Sequence, residues 1–272
     1  MTILSRKIAL ALLIAVLILV ACATVPITGR KSINLIPVST INSLSFQQYS
    51  DFISTNKTIT GTPEATMVKR VGRRIKSAVE EYFAANDMSY HLQGYAWEFN
   101  LVDDSAINAW CMPGGKVVVY TGILPVTRDE TGLAVVMGHE IAHAVANHGN
   151  ERMSQGLLVQ MGGMAIDKAL ENKPEETRGL AMLAFGVGAN VGVLLPYSRL
   201  HESEADHMGL IFMAMAGYDP SKAPEFWERM SADSKGSPPE LLSTHPSDET
   251  RIKNLRERLP EAMTYYRQSG GK

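Results

Sequence analysis

His139, Glu140 and His143 form the pattern H-E-x-x-H inside the apolar stretch Val136–His148. On an α-helix, residues four apart lie about 40° apart around the axis, so both imidazoles leave one face. Two imidazoles in that relation can hold one Zn²⁺ and leave room for a third ligand and a water. Glu140 follows the first histidine and can reach that water as a general base. The chemistry this implies is hydrolysis. The competing explanation is a structural helix that carries two histidines and a glutamate by chance. A random chain of this length shows H-E-x-x-H roughly one time in a hundred. A third ligand further along the chain is therefore what decides the matter.

The candidate lies some sixty residues downstream, in Pro196–Asp206. Glu202 and Asp206 are four apart and share a helix face. Glu202 can enter a metal's ligand set while Asp206 holds a ligand histidine through its other ring nitrogen. A surface helix with i,i+4 charges would look similar. Against that, the acidic cluster sits among apolar residues, with Met208–Met215 apolar again.

Several elements must position these groups. Asp129 or Thr131 can cap the H-E-x-x-H helix, whose flanks Leu133–Met137 and Ile141–Ala146 are almost wholly apolar. Thr62-Pro63-Glu64 signals an earlier helix start, followed by Met67, Val68, Val71, Ile75, Val79 and Phe83 at three- and four-residue spacing. Tyr95–Val102 alternates and reads as a strand, and Lys116–Tyr120 is a second, β-branched one, with a Pro113-Gly114-Gly115 turn between. The expectation is a mostly helical α+β domain with a small sheet beside the metal helix. Residues 157–170 and 180–195 are apolar runs, short for membrane spans. They are expected to be core or partly exposed helices near the site, with a lipid-facing surface left open. A last amphipathic helix carries Ile252, Leu255 and Leu259.

The chain has 272 residues, 45% hydrophobic and 20% charged, with a net charge of −2. No basic block or aromatic–basic interleaving suggests a nucleic-acid partner. Arg6 and Lys7 precede the uninterrupted apolar run Ile8–Val20, which ends in Leu19-Val20-Ala21-Cys22. That is the layout of a secretory signal with a lipobox. Residues 1–21 are thus expected to be a lipoprotein signal peptide, Cys22 the lipidated residue, 22–60 a tether and 61–265 the catalytic domain. A helix is expected within that tether near Ile41–Ile53. The other cysteine, Cys111, then has no partner, which excludes a disulfide framework, and it is expected to be a small buried apolar residue.

H-E-I-A-H at 139–143, S-R-x-x-E-x-E-A-D at 198–206 after Tyr197, and H-P-S-D-E-T-R-I at 245–252 together resemble one zinc metallopeptidase family. That family includes HtpX, the CAAX prenyl protease and the mitochondrial Oma-type protease. The resemblance covers roughly residues 60–260, and the combined motifs are highly specific. The lipobox looks most like the family's periplasmic lipoprotein members, LoiP and BepA. The lack of a helical repeat array is LoiP-like.

The resemblance implies a gluzincin-type fold with one Zn²⁺ per chain held by His139, His143 and Glu202. Glu202 is preferred to Glu204 because the family's ligand lies four residues before its aspartate. Glu140 is implied as catalytic base and Asp206 as the acid supporting a ligand. Asn108 and Ala109 match an edge strand to which an extended peptide adds by main-chain hydrogen bonds. His245 matches a loop histidine that approaches the metal as a regulatory or fourth ligand. The oxyanion stabiliser stays open among Tyr197, Arg199 and His201. By resemblance, the expected role is degradation of misfolded or extended envelope proteins at the periplasmic face of a bacterial outer membrane. Envelope proteins would then be partners. The rivals are a chaperone or assembly factor for outer-membrane proteins that keeps the protease fold without cleaving, and a plain lipid-anchored structural protein.

Overall fold

A computed structural model of the chain describes residues 22–232, 240–245 and 249–271. The expected signal peptide, residues 1–21, lies outside them. The chain divides into two compact units: Met1–Val38 with Asn147–Arg199, and Ser39–Ala146 with Leu200–Lys272.

The second unit holds a four-stranded sheet, β3 (Thr58–Ile59), β4 (Glu98–Val102), β5 (Ala109–Met112) and β6 (Lys116–Tyr120), in the order β3-β4-β6-β5. β4 and β6 run parallel; the other pairs are antiparallel, and β5 lies at one edge. Both faces of the sheet are covered. Helix α1 (Val38–Thr55) lays Tyr49 and Phe52 against Val102, Val118 and Tyr120. Helix α2 (Pro63–Ala85) packs on β4 from the other side. Phe99 lies so close to α2 that a Cβ on Gly72 would fall 2.2 Å from its ring. Covering on both sides explains why β4 and β6 are buried almost continuously rather than alternating.

Local signals behave as their chemistry requires. Thr62 caps α2 by accepting from the Ala65 N–H at 3.2 Å, and Pro63 occupies the first turn. Gly114 and Gly115 both have positive φ in the turn between β5 and β6, where Phe46 and Trp97 take the space of a side chain. Residues 22–60, expected to be a tether, carry two strands, α1 and β3. The helix foreseen near Ile41–Ile53 runs over Val38–Thr55.

A four-residue helix, α3 (Leu124–Thr127), leads into α4 (Glu130–Val145). Of the two candidate caps it is Asp129 that accepts, from the Gly132 N–H at 2.8 Å. Every residue of α4 from Gly132 to Val145 is buried. The helix ends at Asn147, whose φ of 59° is one that asparagine tolerates better than most residues. The unit is completed by the later part of α7 (Leu195–Met215) and by α8 (Lys222–Ala232), α9 (Glu240–Thr244) and α10 (Glu249–Gln268).

In the first unit β1 (Cys22–Thr24) pairs antiparallel with β2 (Lys31–Ile33). The following chain is fastened to the start of α5 (His148–Ala169). Arg30 forks onto buried Glu151 at 2.8 and 2.7 Å, Leu35 N–H donates to Ser154 Oγ, and Asn150 donates to the Ile36 carbonyl. Helix α6 (Glu175–Ala189) returns along α5, and the helical path continues through a wider turn at Asn190–Leu194 into α7. Met182 and Phe185 pack onto Gly162 and Gly163. The two apolar runs are helices, as expected, but they are not core. Leu157, Leu158, Met161, Met164, Leu180, Leu183, Val187 and Val191 are all exposed.

Candidate metal centre

α4 and α7 come together through glycine. A Cβ on Gly209 would lie 2.9 Å from the His139 amide nitrogen, and one on Gly138 would lie 3.0 Å from the Gly209 carbonyl oxygen. This close approach of two backbones brings Glu202 and Asp206 of α7 to the histidines of α4. His139 Nε2 and His143 Nε2 are 3.1 Å apart. Glu202 places Oε2 3.3 Å from the first and Oε1 3.4 Å from the second. Four ligands at tetrahedral zinc bond lengths stand about 3.3 Å from one another, so this spacing fits a zinc ion. His245 closes the group: its Nδ1 is 3.2 Å from His139 Nε2 and 2.8 Å from Glu202 Oε2. The ligand atoms of His139, His143, Glu202 and His245 all lie within 4.8 Å of one another.

Asp206 Oδ1 sits 3.0 Å from His139 Nδ1, which points Nε2 toward the other ligands. Glu140 is buried, and its Oε1 has no hydrogen-bond partner among the described residues. It lies 3.6 Å from His245 Nε2. Burial pushes the Glu140 carboxyl above its ordinary pKa; nearby His245 and His139 pull the other way. Burial also pushes Glu202 upward, but hydrogen bonds from His139, His143 and His245 outweigh it and hold the carboxyl far below its usual range. At His139, burial and Arg251 lower the pKa, yet Asp206 and Glu202 raise it to about 9. The pocket's field therefore favours positive charge. The carboxyl groups of Glu140, Glu202 and Asp206 converge here with one guanidinium, Arg251, an arrangement that a cation would help to balance.

Arg251 was not singled out by sequence reasoning, although it lies inside the H-P-S-D-E-T-R-I run. It donates to Asp206 Oδ1 at 2.6 Å and to the His245 carbonyl at 3.2 Å, and its guanidinium lies 3.4 Å over the Trp227 ring. Trp227 in turn packs edge-on against His139. One side chain thus fixes the supporting acid and the loop of His245 together.

Asn108 and Ala109 are at the start of β5, which packs beside α4. The Tyr120 N–H donates to the Asn108 carbonyl, so by strand alternation the backbones of Ala109 and Cys111 face the outer edge. The Ala109 N–H there is held by Asn108 Oδ1 at 2.9 Å. One step upstream, the Ile107 carbonyl accepts from the Leu241 N–H of α9, the short helix that leads to His245. No sequence signal foretold that pairing. Cys111, expected to be buried, is half-buried in β5. Of the oxyanion candidates, His201 is buried on α7 in this unit, while Tyr197 and Arg199 belong to the other unit. Glu204 is buried on α7, but it is Glu202 that meets the imidazoles.

Two imidazoles from one helix, a carboxylate from a second and a buried glutamate beside them make a hydrolytic metal site. Residues 69–259 match the Peptidase family M48 profile. The mitochondrial metalloendopeptidase OMA1 of Schizosaccharomyces pombe is 34% identical over 244 residues, covering 88% of this chain and 67% of its own length. Human OMA1 is 31% identical over 256 residues, covering 88% and 46%. The beta-barrel assembly-enhancing protease of Escherichia coli is 29% identical over 168 residues, covering 60% and 34%. The chain thus spans from about a third to two thirds of these relatives' lengths. It belongs to peptidase family M48, a family of zinc-dependent metallopeptidases.

Proposed function

We propose that this chain is a zinc endopeptidase that cleaves extended or misfolded polypeptides and is held by lipid at Cys22 to the periplasmic face of a bacterial outer membrane. The observation that carries the catalytic part is the convergence of His139, His143 and Glu202 beside the buried carboxylate of Glu140. Those three residues would hold the zinc. Zinc when bound supplies Lewis acidity to a carbonyl and lowers the pKa of water. Glu140 takes the proton from the attacking water and returns it to the leaving amine. Asp206 keeps His139 oriented. An extended substrate adds to the outer edge of β5, at the Ala109 carbonyl and the Cys111 backbone, through main-chain hydrogen bonds. A grip of that kind selects for unfolded conformation more than for sequence.

His245 acts as a removable fourth ligand. Its segment also occupies the Ile107 carbonyl, so its withdrawal would free both a coordination position and the upstream end of the substrate edge. The lipid anchor is supported by the run Ile8–Val20 and the residues Leu19-Val20-Ala21-Cys22. The similarity to the beta-barrel assembly-enhancing protease of Escherichia coli supports an envelope setting with outer-membrane proteins among the substrates.

The test is Glu140→Gln assayed on unfolded casein. Cleavage should fall by about 10³-fold or more, with zinc content per chain unchanged. Cleavage at the native rate would refute the assignment. Native chain that binds zinc and does not cleave would favour the assembly-factor reading.

A further inference from the structure

The 41-residue helical path Glu175–Met215 contains an 18-residue window of mean hydropathy 1.7, and along α6 only Ala189 is buried. A core helix would be buried and a signal sequence would lie at the amino terminus; this segment is neither. Residues 179–196 carry no charge. Leu180, Leu183, Val187 and Val191, at spacings of three and four, form one exposed stripe along α6 and beyond it. On α5 the exposed Leu157, Met161 and Met164 form a second. The inner side of the hairpin is already occupied by Met182 and Phe185 against Gly162 and Gly163, so the outer stripes have no use within it.

We propose that the outer apolar stripes of α5 and α6 are a lipid-docking surface that beds into the headgroup–acyl boundary of a phospholipid bilayer, separately from the anchor at Cys22. Where the chain enters this unit points to lipid as the occupant. The apolar run Ile8–Val20 leads directly into β1, and Arg30, Leu35 and Ile36 tie the strand that follows to the first turns of α5. The candidate anchor and the hairpin therefore belong to one unit. This inference rests on the proposed function for the anchor at Cys22, which is what favours lipid over another protein as the occupant. The hairpin lies in the interface rather than spanning. Its tip carries Asp167, Lys168, Glu171, Lys173, Glu175, Glu176 and Arg178, which crossing would drag through hydrocarbon. With both signs mixed at the tip, docking is driven by apolar area. It should be insensitive to salt and to anionic lipid.

The experiment uses the full chain with Cys22→Ser and Cys111→Ser and a single environment-sensitive label at Leu183→Cys. A control protein carries the label at Glu80→Cys, on the exposed side of α2. On addition of phosphatidylcholine vesicles the label at position 183 should shift to the blue and be quenched by a lipid spin label, equally at low and high salt. The label at position 80 should not respond. If the label at position 183 stays in water while flotation shows the protein bound through residues 1–21, the proposal falls. It falls equally if that label is shielded without vesicles as protein concentration rises, because a second copy then covers the face. In the otherwise native chain, Leu180→Ser with Leu183→Ser and Val187→Ser should cut the bilayer-bound fraction at limiting lipid by about tenfold. An unchanged fraction there, with the label at position 183 dry of lipid, overturns it again. Failure of the anchor reading appears elsewhere, as an intact mass that shows no acyl adduct at Cys22.

Discussion

Of the fourteen residues of α4 from Gly132 to Val145, all are buried, whereas of the fifteen residues of α6 only Ala189 is. The two helices look alike on paper. Both are rich in alanine, glycine, valine, leucine and methionine, and neither carries a strong amphipathic pattern. Their surroundings differ. α4 has β5, α2 and α8 against it, and its polar side chains His139, Glu140 and His143 are turned toward partners that can use them. α6 packs one side on α5 and leaves the rest outside. Apolar composition therefore reports what a helix can bury, not what it does bury. A buried polar group inside such a helix is the more telling signal, since it is costly unless it binds something.

If the polar groups of α4 are kept for a cation, removing the α7 carboxylate that completes their set should have the largest effect of any change in the chain short of catalysis itself. Glu202→Gln should weaken zinc affinity by more than about 100-fold, measured by competition with a chelating dye. Serine substitutions on the α6 stripe should leave the same affinity untouched. Equal affinities in native and Glu202→Gln protein would put the cation somewhere other than between the α4 histidines.

The next effect tests whether burial or the cation alone holds the site. Arg251 and Asp206 are a buried pair, each nine-tenths or more covered. Arg251→Met leaves the Asp206 carboxylate without its nearest positive charge. It should cost about 3–5 kcal/mol of stability, read by denaturant unfolding of zinc-loaded protein, with Arg251→Lys recovering part of the loss. A cost below about 1 kcal/mol would mean that the pair is solvated, and that the second unit is less closed around its site than α4 suggests.

Much of this was legible beforehand. The H-E-x-x-H helix, the helix start at Thr62, the strands expected at 95–102 and 116–120, the first of which begins only at Glu98, and the pairing of residues 139, 143, 202 and 206 follow from local spacing or from motif resemblance. What escaped has physical reasons. Arg251 meets Asp206 across 45 residues of chain, and an arginine on an amphipathic helix carries no local mark of burial. The pairing of Leu241 N–H with the Ile107 carbonyl is made by main-chain atoms, which any residue supplies. Residues 22–60 read as a tether because their sequence is polar and broken by Pro26 and Pro37, yet Tyr49, Phe52 and Ile53 give α1 a face to pack on the sheet. The exposure of residues 180–195 could not be told from hydropathy, which measures a preference and not the partner that satisfies it.

A smaller effect separates the surroundings of α4 from those of α6 by one substitution made twice, once on α7 where it meets α4 and once on α6. At Gly209, opposite α4, an added Cβ would press on the His139 amide at 2.9 Å, and neither backbone can give way like a flexible side chain. Gly209→Ala should destabilise by about 1–3 kcal/mol. For a chain of this size that lowers the melting temperature by about 2–4 °C per kcal/mol. It should also loosen the grip on zinc, because the shift falls on the backbone of a ligand.

At Gly186 on α6 nothing lies within 4 Å of the same added Cβ, and the backbone there is ordinary helix. Alanine then changes only what the helix costs to form. It loses less backbone entropy than glycine, which favours the folded helix by about 0.5–1 kcal/mol. Amide exchange within α6 is the suitable readout, because a gain confined to one exposed helix need not move a global transition. Exchange of the interior amides of α6 should slow by about two- to fivefold, with melting temperature and zinc affinity as in the native chain. Faster exchange would mean that this face is packed against something that tolerates no methyl group. The contrast between a helix enclosed on all sides and one left open would then be lost. Slower exchange in Gly186→Ala beside a clear loss in Gly209→Ala would show the same residue type serving close packing in one helix and bare flexibility in the other.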